Sequence, residues 1–127
     1  MLRACNRVLK PGGRIAFFVI TMAEGLDAKQ QQRALEVGHV DAGPGYPALL
    51  EQAGFEHIFA ADVTAAYLAT LESWIDTWNE EAAALQDLIG ATEFAERQAR
   101  RNRTLQSGKS GLIRRLLLSA ERPDPAA

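Results

Sequence analysis

The arrangement of apolar and polar positions divides the chain into short, alternating elements. Ile15-Ala16-Phe17-Phe18-Val19-Ile20 is apolar at every position. An extended strand here would present apolar side chains on both faces. That pattern predicts a strand from Arg14 to Ile20 in the centre of a parallel sheet, with helices on both sides. Before it, Leu2, Cys5 and Leu9 share one helical face, with Val8 beside them. Pro11-Gly12-Gly13 then ends that helix, because proline cannot continue it and glycine permits a left-handed turn. Residues 27–36 are polar and suit a helix or a loop. Gly38, Gly43, Pro44, Gly45 and Pro47 predict a loop over 38–47. Pro47 to Ala53 predicts a short helix with Leu49 and Leu50 inward and Gly54 as its stop. Phe55 to Val63 predicts a second strand, imperfectly alternating but carrying Phe55, Ile58, Phe59 and Val63.

Farther along, Leu68, Leu71, Ile75, Trp78, Ala82, Leu85 and Ile89 recur at alternating spacings of three and four. At 3.6 residues per turn this is one apolar stripe over about six turns. It predicts a continuous helix from an N-cap at Thr64 to Ile89, broken by Gly90. Thr92 is expected to cap a second helix running to about Leu105. Ser107-Gly108-Lys109-Ser110-Gly111 predicts a turn, and Leu112 to Glu121 a third strand. Pro123-Asp124-Pro125-Ala126-Ala127 reads as a frayed tail. Alternating helices and strands point to an α/β fold. A strand apolar on both faces needs neighbours at both edges, since an open edge invites aggregation. The pattern therefore predicts further sheet upstream of Ile15.

Composition narrows the functional classes. The chain has 127 residues, room for one compact domain, and a net charge of -2. Bulk charge thus does not favour nucleic acid or an anionic membrane. Arg97, Arg100, Arg101 and Arg103 form the densest charge cluster, but Glu93 and Glu96 precede it and aromatic interleaving is sparse. A solvated helix end explains it better than an RNA grip, and no nucleic-acid partner is expected. The apolar run 15–20 falls short of the roughly 20 residues of a membrane helix, and residues 1–10 hold no signal-peptide core. No membrane partner is expected. Cys5 is the single cysteine, which excludes an internal disulfide and suits a reducing cytoplasm. Its place on the inward helix face suits an inert packing residue.

Arg7-Val8-Leu9-Lys10-Pro11-Gly12-Gly13, followed by Arg14-Ile15-Ala16-Phe17-Phe18, resembles the turn into strand five of class I S-adenosylmethionine (SAM)-dependent methyltransferases of the type 11/12 kind. Tyr46 to Phe55 is similar to the helix before strand six, and Asp62-Val63-Thr64 to the end of that strand. Gly111-Leu112-Ile113-Arg114-Arg115 through Arg122-Pro123 is similar to strand seven. The resemblance covers nearly the whole chain. It implies an α/β fold: a partial Rossmann-like sheet of strands five, six and seven with flanking helices, strand seven antiparallel between the other two. Residues 1–122 would form the C-terminal half of a methyltransferase domain and 123–127 a flexible tail. The family binds SAM with a Gly-x-Gly loop after strand one and an acidic residue ending strand two. No such loop, framed by strand and helix, occurs in these residues, and Gly43-Pro44-Gly45 does not qualify. SAM is the implied cofactor, but no cofactor-binding residue is assigned, and no metal is implied.

Methyl transfer from a sulfonium is an in-line displacement in which the protein aligns the acceptor and excludes water. An oxygen or nitrogen acceptor also needs a base. The resemblance places the acceptor at the carboxyl ends of the strands, beside Thr21 and Met22. The loop through His39 and Tyr46, and the helix carrying Trp74 and Trp78, would form a lid. His39 and Thr21 are the catalytic candidates. Thr21, Met22, Tyr46 and Trp74 are the substrate-binding candidates. Each also has a plain structural reading: Thr21 ends a strand, His39 is a loop histidine, Tyr46 packs its ring, and Trp78 belongs to the apolar stripe. Trp74 lies at the edge of that stripe, and His57 is a surface or packed strand residue. The function expected is SAM-dependent methyl transfer to a small-molecule acceptor, with this chain as the substrate-side half, partnered by a missing N-terminal half. The alternative is a non-catalytic remnant that forms a homodimer or binds a partner through the edge of Ile15 to Ile20.

Overall fold

A computed structural model describes residues 1–37 and 43–126. Helix α1 (Leu2–Val8) leads into strand β1 (Arg14–Met22). Helices α2 (Ala28–Glu36) and α3 (Tyr46–Gln52) precede strand β2 (Glu56–Asp62). Helices α4 (Thr64–Glu80), α5 (Ala82–Ile89) and α6 (Ala91–Lys109) follow, and β3 (Ile113–Glu121) closes the chain. The strand order is β1-β3-β2. β3 runs antiparallel to both neighbours, with Phe17 and Ala60 facing Leu118 from either side.

Strand alternation sorts the side chains into two layers. Ile15, Phe17 and Val19 pack with Leu116, Leu118 and Ala120 under Leu50 of α3 and Leu2, Cys5 and Leu9. Leu50 and Leu118 have no exposed surface at all. On the opposite face, Ile20 and Met22 gather with Ile113, Leu112, Leu26 and Ala34 of α2. A third cluster, Leu71, Ile75 and Leu105, joins α4 to α6. The turn 10–13 is tied to the end of β3: Gly12 N–H donates to Arg122 O at 2.9 Å and Arg122 N–H to Gly13 O at 2.8 Å. Arg122 Nη1 donates to the Arg7 carbonyl at 3.1 Å and also to that of Leu9, closing the carboxyl end of α1.

Several elements depart from the sequence reading. β1 is not central in a parallel sheet. Among the described residues it is an edge strand, paired only with the antiparallel β3, because the chain returns between its own two earlier strands. Phe18, on the second face, is consequently 55% exposed. The single helix over Thr64–Ile89 is two helices, broken at Glu81 (φ -101°, ψ 20°). The apolar spacing continues across the break, but α5 turns away to pack on α6. Thr64 is the first helical residue, and Val63 occupies the cap position without a side-chain bond. Likewise Gly90, at φ 88°, and not Thr92, precedes α6. That helix runs on to Lys109, so the turn is confined to Ser110–Gly111. Gly108 lies within the helix where α4 passes close by: a Cβ there would strike both methyls of Leu68.

Other ambiguities have local causes. Asp27 accepts from Gln30 N–H at 2.8 Å while Gln30 Oε1 accepts from Asp27 N–H at 3.1 Å. This reciprocal cap makes the polar stretch a helix. The irregular alternation of β2 is a bulge between Glu56 and Phe59, with His57 at φ 51°.

Candidate functional site

β1 and β2 both deliver their carboxyl ends to one side of the sheet. β3, being antiparallel, delivers its amino end there. Arg114 therefore sits opposite Thr21, and Leu116 lies between Val19 and Asp62. Ala23 N–H donates to Leu112 O at 2.9 Å and carries the ladder one step beyond Met22. The chain then leaves through Glu24-Gly25-Leu26. Gly45, at φ 92°, turns it into α3, with Pro47 in the first turn. Between these pieces lies a cavity of about 770 Å³. Its walls include Thr21, Met22, Glu24, Tyr46, Asp62 and Arg114.

The apolar wall is held from behind. The Tyr46 ring meets Phe17 edge-on, with centroids 5.9 Å apart and planes at 65°. The polar wall is centred on Asp62. Its Oδ1 accepts from Thr64 N–H at 2.9 Å and also from the Thr64 hydroxyl. Thr64 Oγ1 in turn accepts from Arg115 N–H at 2.9 Å. One threonine thus links the end of β2, the start of α4 and the backbone of β3. The Thr64 hydroxyl, then its amide, hold the Asp62 carboxyl below its ordinary range against the opposing effect of burial, and the Arg114 charge adds least. Among the described residues, the ion-pair partner of Asp62 Oδ2 is the Arg114 guanidinium, at 3.6 Å from Nε. That is beyond hydrogen-bond length, and both side chains are about half exposed, so this pair is weak. Arg114 Nη1 donates to the carbonyl of Ile113 at 3.0 Å.

Thr21, Met22 and Tyr46, three of the four expected substrate contacts, line this cavity. Trp74 does not: it lies on α4, 51% exposed, outside the cavity wall. Trp78 stacks on Phe94 at 5.6 Å, with the Arg101 guanidinium 3.8 Å above its ring, so it is a structural residue between α4 and α6. His39 falls outside the described residues. Glu24, Asp62 and Arg114 were not among the sequence candidates. The signals for two of them were there: a carboxylate closing strand β2, and an arginine pair opening the otherwise apolar β3. No group of His, Cys, Asp or Glu among the described residues is arranged to hold a metal ion.

The described residues do not fit a SAM cradle. Such a cradle needs backbone approaching the cofactor at a glycine turn between strand and helix. Gly43 and Gly45 have positive φ at the cavity (66° and 92°), but the preceding described element is α2, not a strand. Asp62 already has one oxygen bound to Thr64. What the arrangement offers is a cavity with two carboxylates, a guanidinium, a phenol and a threonine hydroxyl in its wall.

No protein-family profile matches the chain, and no curated protein matches it in sequence. Solved structures do match. Phosphoethanolamine N-methyltransferase 2 from Haemonchus contortus, in complex with phosphomonomethylethanolamine and S-adenosylhomocysteine, superposes with a TM-score of 0.80 at 14% identity. The match covers 97% of this chain and 29% of that one. The cyclopropane synthase MmaA2 from Mycobacterium tuberculosis gives 0.76 at 13% identity, covering 94% and 48%. The [4+2]-cyclase SpnF gives 0.69 at 18% identity, covering 97% and 43%. The chain therefore has a class I methyltransferase-like fold. It spans less than half the length of each of these proteins.

Proposed function

We propose that this chain forms the acceptor-binding side of a SAM-dependent methyltransferase that acts on a small molecule, with the cofactor cradle supplied by residues outside it. The observation that carries this reading is the position of the cavity. It opens at the carboxyl ends of β1 and β2, where α/β sheets bind their ligands. One structural neighbour is named a methyltransferase and is bound to S-adenosylhomocysteine, the demethylated form of SAM. When bound, SAM supplies a methyl group activated on a sulfonium. This chain's residues would hold and orient the acceptor: Tyr46 and Met22 through apolar contact, Thr21, Asp62 and Arg114 through polar contact. His39 is the base we propose for an oxygen or nitrogen nucleophile, and Thr21 is the second catalytic candidate. The single cysteine suits the cytoplasm as its compartment. No helix of the described residues is long and apolar enough to cross a membrane.

A second reading is favoured by one feature, the outer edge of β1, which is unpaired among the described residues, with Phe18 half exposed beside it. Such an edge suits pairing with a second copy or another protein. Isothermal titration of SAM, on chain whose oligomeric state is known from light scattering, separates the two. We expect no saturable binding to the chain alone and saturable binding once the missing half is present in the same polypeptide. A longer polypeptide that still fails to bind SAM would overturn the methyltransferase reading.

A further inference from the structure

We propose that the cavity at the carboxyl ends of β1 and β2 is built for a small protonated amine, which the free oxygen of Asp62 receives. This rests on the reading of that cavity as an acceptor site and goes on to name the acceptor's class. Three observations lead to it.

The first is the balance of charge. Among the described residues that line the cavity, Glu24 and Asp62 are acidic and Arg114 alone is basic. Arg114 lies near Asp62, while Glu24 has no ion-pair partner among the described residues. The described wall therefore carries one uncompensated negative charge, and a cation would neutralise it.

The second is the geometry of Asp62. Thr64 takes Oδ1 twice, with its amide and its hydroxyl. The carboxylate is thus fixed in direction, and Oδ2 accepts no hydrogen bond among the described residues, with the Arg114 Nε 3.6 Å away. An acceptor-only oxygen at a cavity wall suits an incoming N–H, and a charged N–H makes the stronger bond. Because Thr64 also accepts from the β3 backbone, this direction is held by three elements and not by one flexible side chain.

The third is the remaining wall. Met22, Leu26 and Tyr46 give the same cavity an apolar surface. Alkyl groups on nitrogen fit such a surface, and a tyrosine face attracts a cation. A neutral or anionic acceptor would gain from the apolar wall but leave the excess negative charge unanswered.

The test uses three probes of nearly one shape on the full protein: N,N-dimethylethanolamine, which is protonated at pH 7; its uncharged carbon isostere 3-methylbutan-1-ol; and the anion 3-methylbutanoate. Binding is followed by amide chemical shifts of Thr21, Glu24, Asp62 and Arg114. We expect saturable shifts with the amine, and binding about tenfold weaker with the alcohol, the factor that one charge-assisted hydrogen bond carries. Asp62→Asn should erase this preference, so that the amine binds no more tightly than the alcohol. Thr64→Val, which frees the carboxylate without removing it, should reduce the preference only in part. If the alcohol or the anion binds at these residues as tightly as the amine, the amine class is wrong and the acceptor site stands. If no probe moves these residues, the amine class and the acceptor reading of this cavity both fall.

Discussion

His57 shows how much one residue carries at a strand irregularity. It sits in the β2 bulge at φ 51°, a region that non-glycine residues enter at a cost. Its Nδ1 lies 2.9 Å from Glu121 Oε2, and Glu121 also takes Arg14 Nε at 3.0 Å. The bond to Glu121, then the charges of Glu121 and Glu56, raise the His57 pKa above its ordinary 6.5. The same bond, first among several causes, lowers Glu121 below its ordinary 4.5. The signs define a window. The raised histidine contributes stability that is complete below pH 6.5 and fades as pH climbs through the raised value. The lowered glutamate contributes stability that is complete above pH 4.5 and fades as pH falls through the lowered value. His57→Asn keeps a residue that tolerates positive φ and removes the charge. Its melting temperature should fall furthest below that of the parent between these two values and converge with it toward pH 9. Thermal melts across that range check this. A deficit independent of pH would mean that His57 acts through the bulge backbone alone.

At the scale of elements, α4 illustrates how helix packing overrides a sequence pattern. Its stripe matches a continuous helix, yet only Leu71 and Ile75 within it are fully buried, against Leu105 of α6. Trp78 and Leu85 are half-buried, and Leu88 of α5 is 80% exposed. The two-helix contact is closed by Gly108 against Leu68, and by Gln98, whose Nε2 donates to the Ile75 carbonyl and to Asn79 Oδ1, both at 3.1 Å. Ile75→Asp would put an unpaired charge into this seam, at a cost of about 3–5 kcal/mol. We expect loss of cooperative melting and of helical circular dichroism. Near-parental values for both would show that the seam does not need to be dry.

For the whole molecule, the sheet depends on its middle strand. Leu118 has no exposed surface and lies in register between Phe17 of β1 and Ala60 of β2. Leu118→Ala should cost about 2–5 kcal/mol, because a cavity at this point has walls on three elements that cannot all collapse. Chemical denaturation reads this as a lower midpoint at an unchanged slope. A loss below the range for buried leucines would mean that the three strands tolerate looseness at their centre. On the face opposite Leu118, Phe18 and Phe59 are each 55% exposed.

The sequence by itself determined the local elements: the apolar β1, the Pro-Gly-Gly stop, the strands around Ile58 and Leu118, and the helical stripe from Leu68 onward. These are set by periodicity and by residues that break helices, which act over a few neighbours. The resemblance added the antiparallel closing strand. Thr21, Met22 and Tyr46 could be named because they adjoin such elements. The tertiary structure alone decided the rest. The break at Glu81 and the helical Gly108 follow from how α4, α5 and α6 pack. The edge position of β1 follows from which strands lie beside it. The Asp62–Arg114 pair joins residues 52 positions apart in sequence. No window along the chain contains that contact, because it exists only once β3 has returned between β1 and β2.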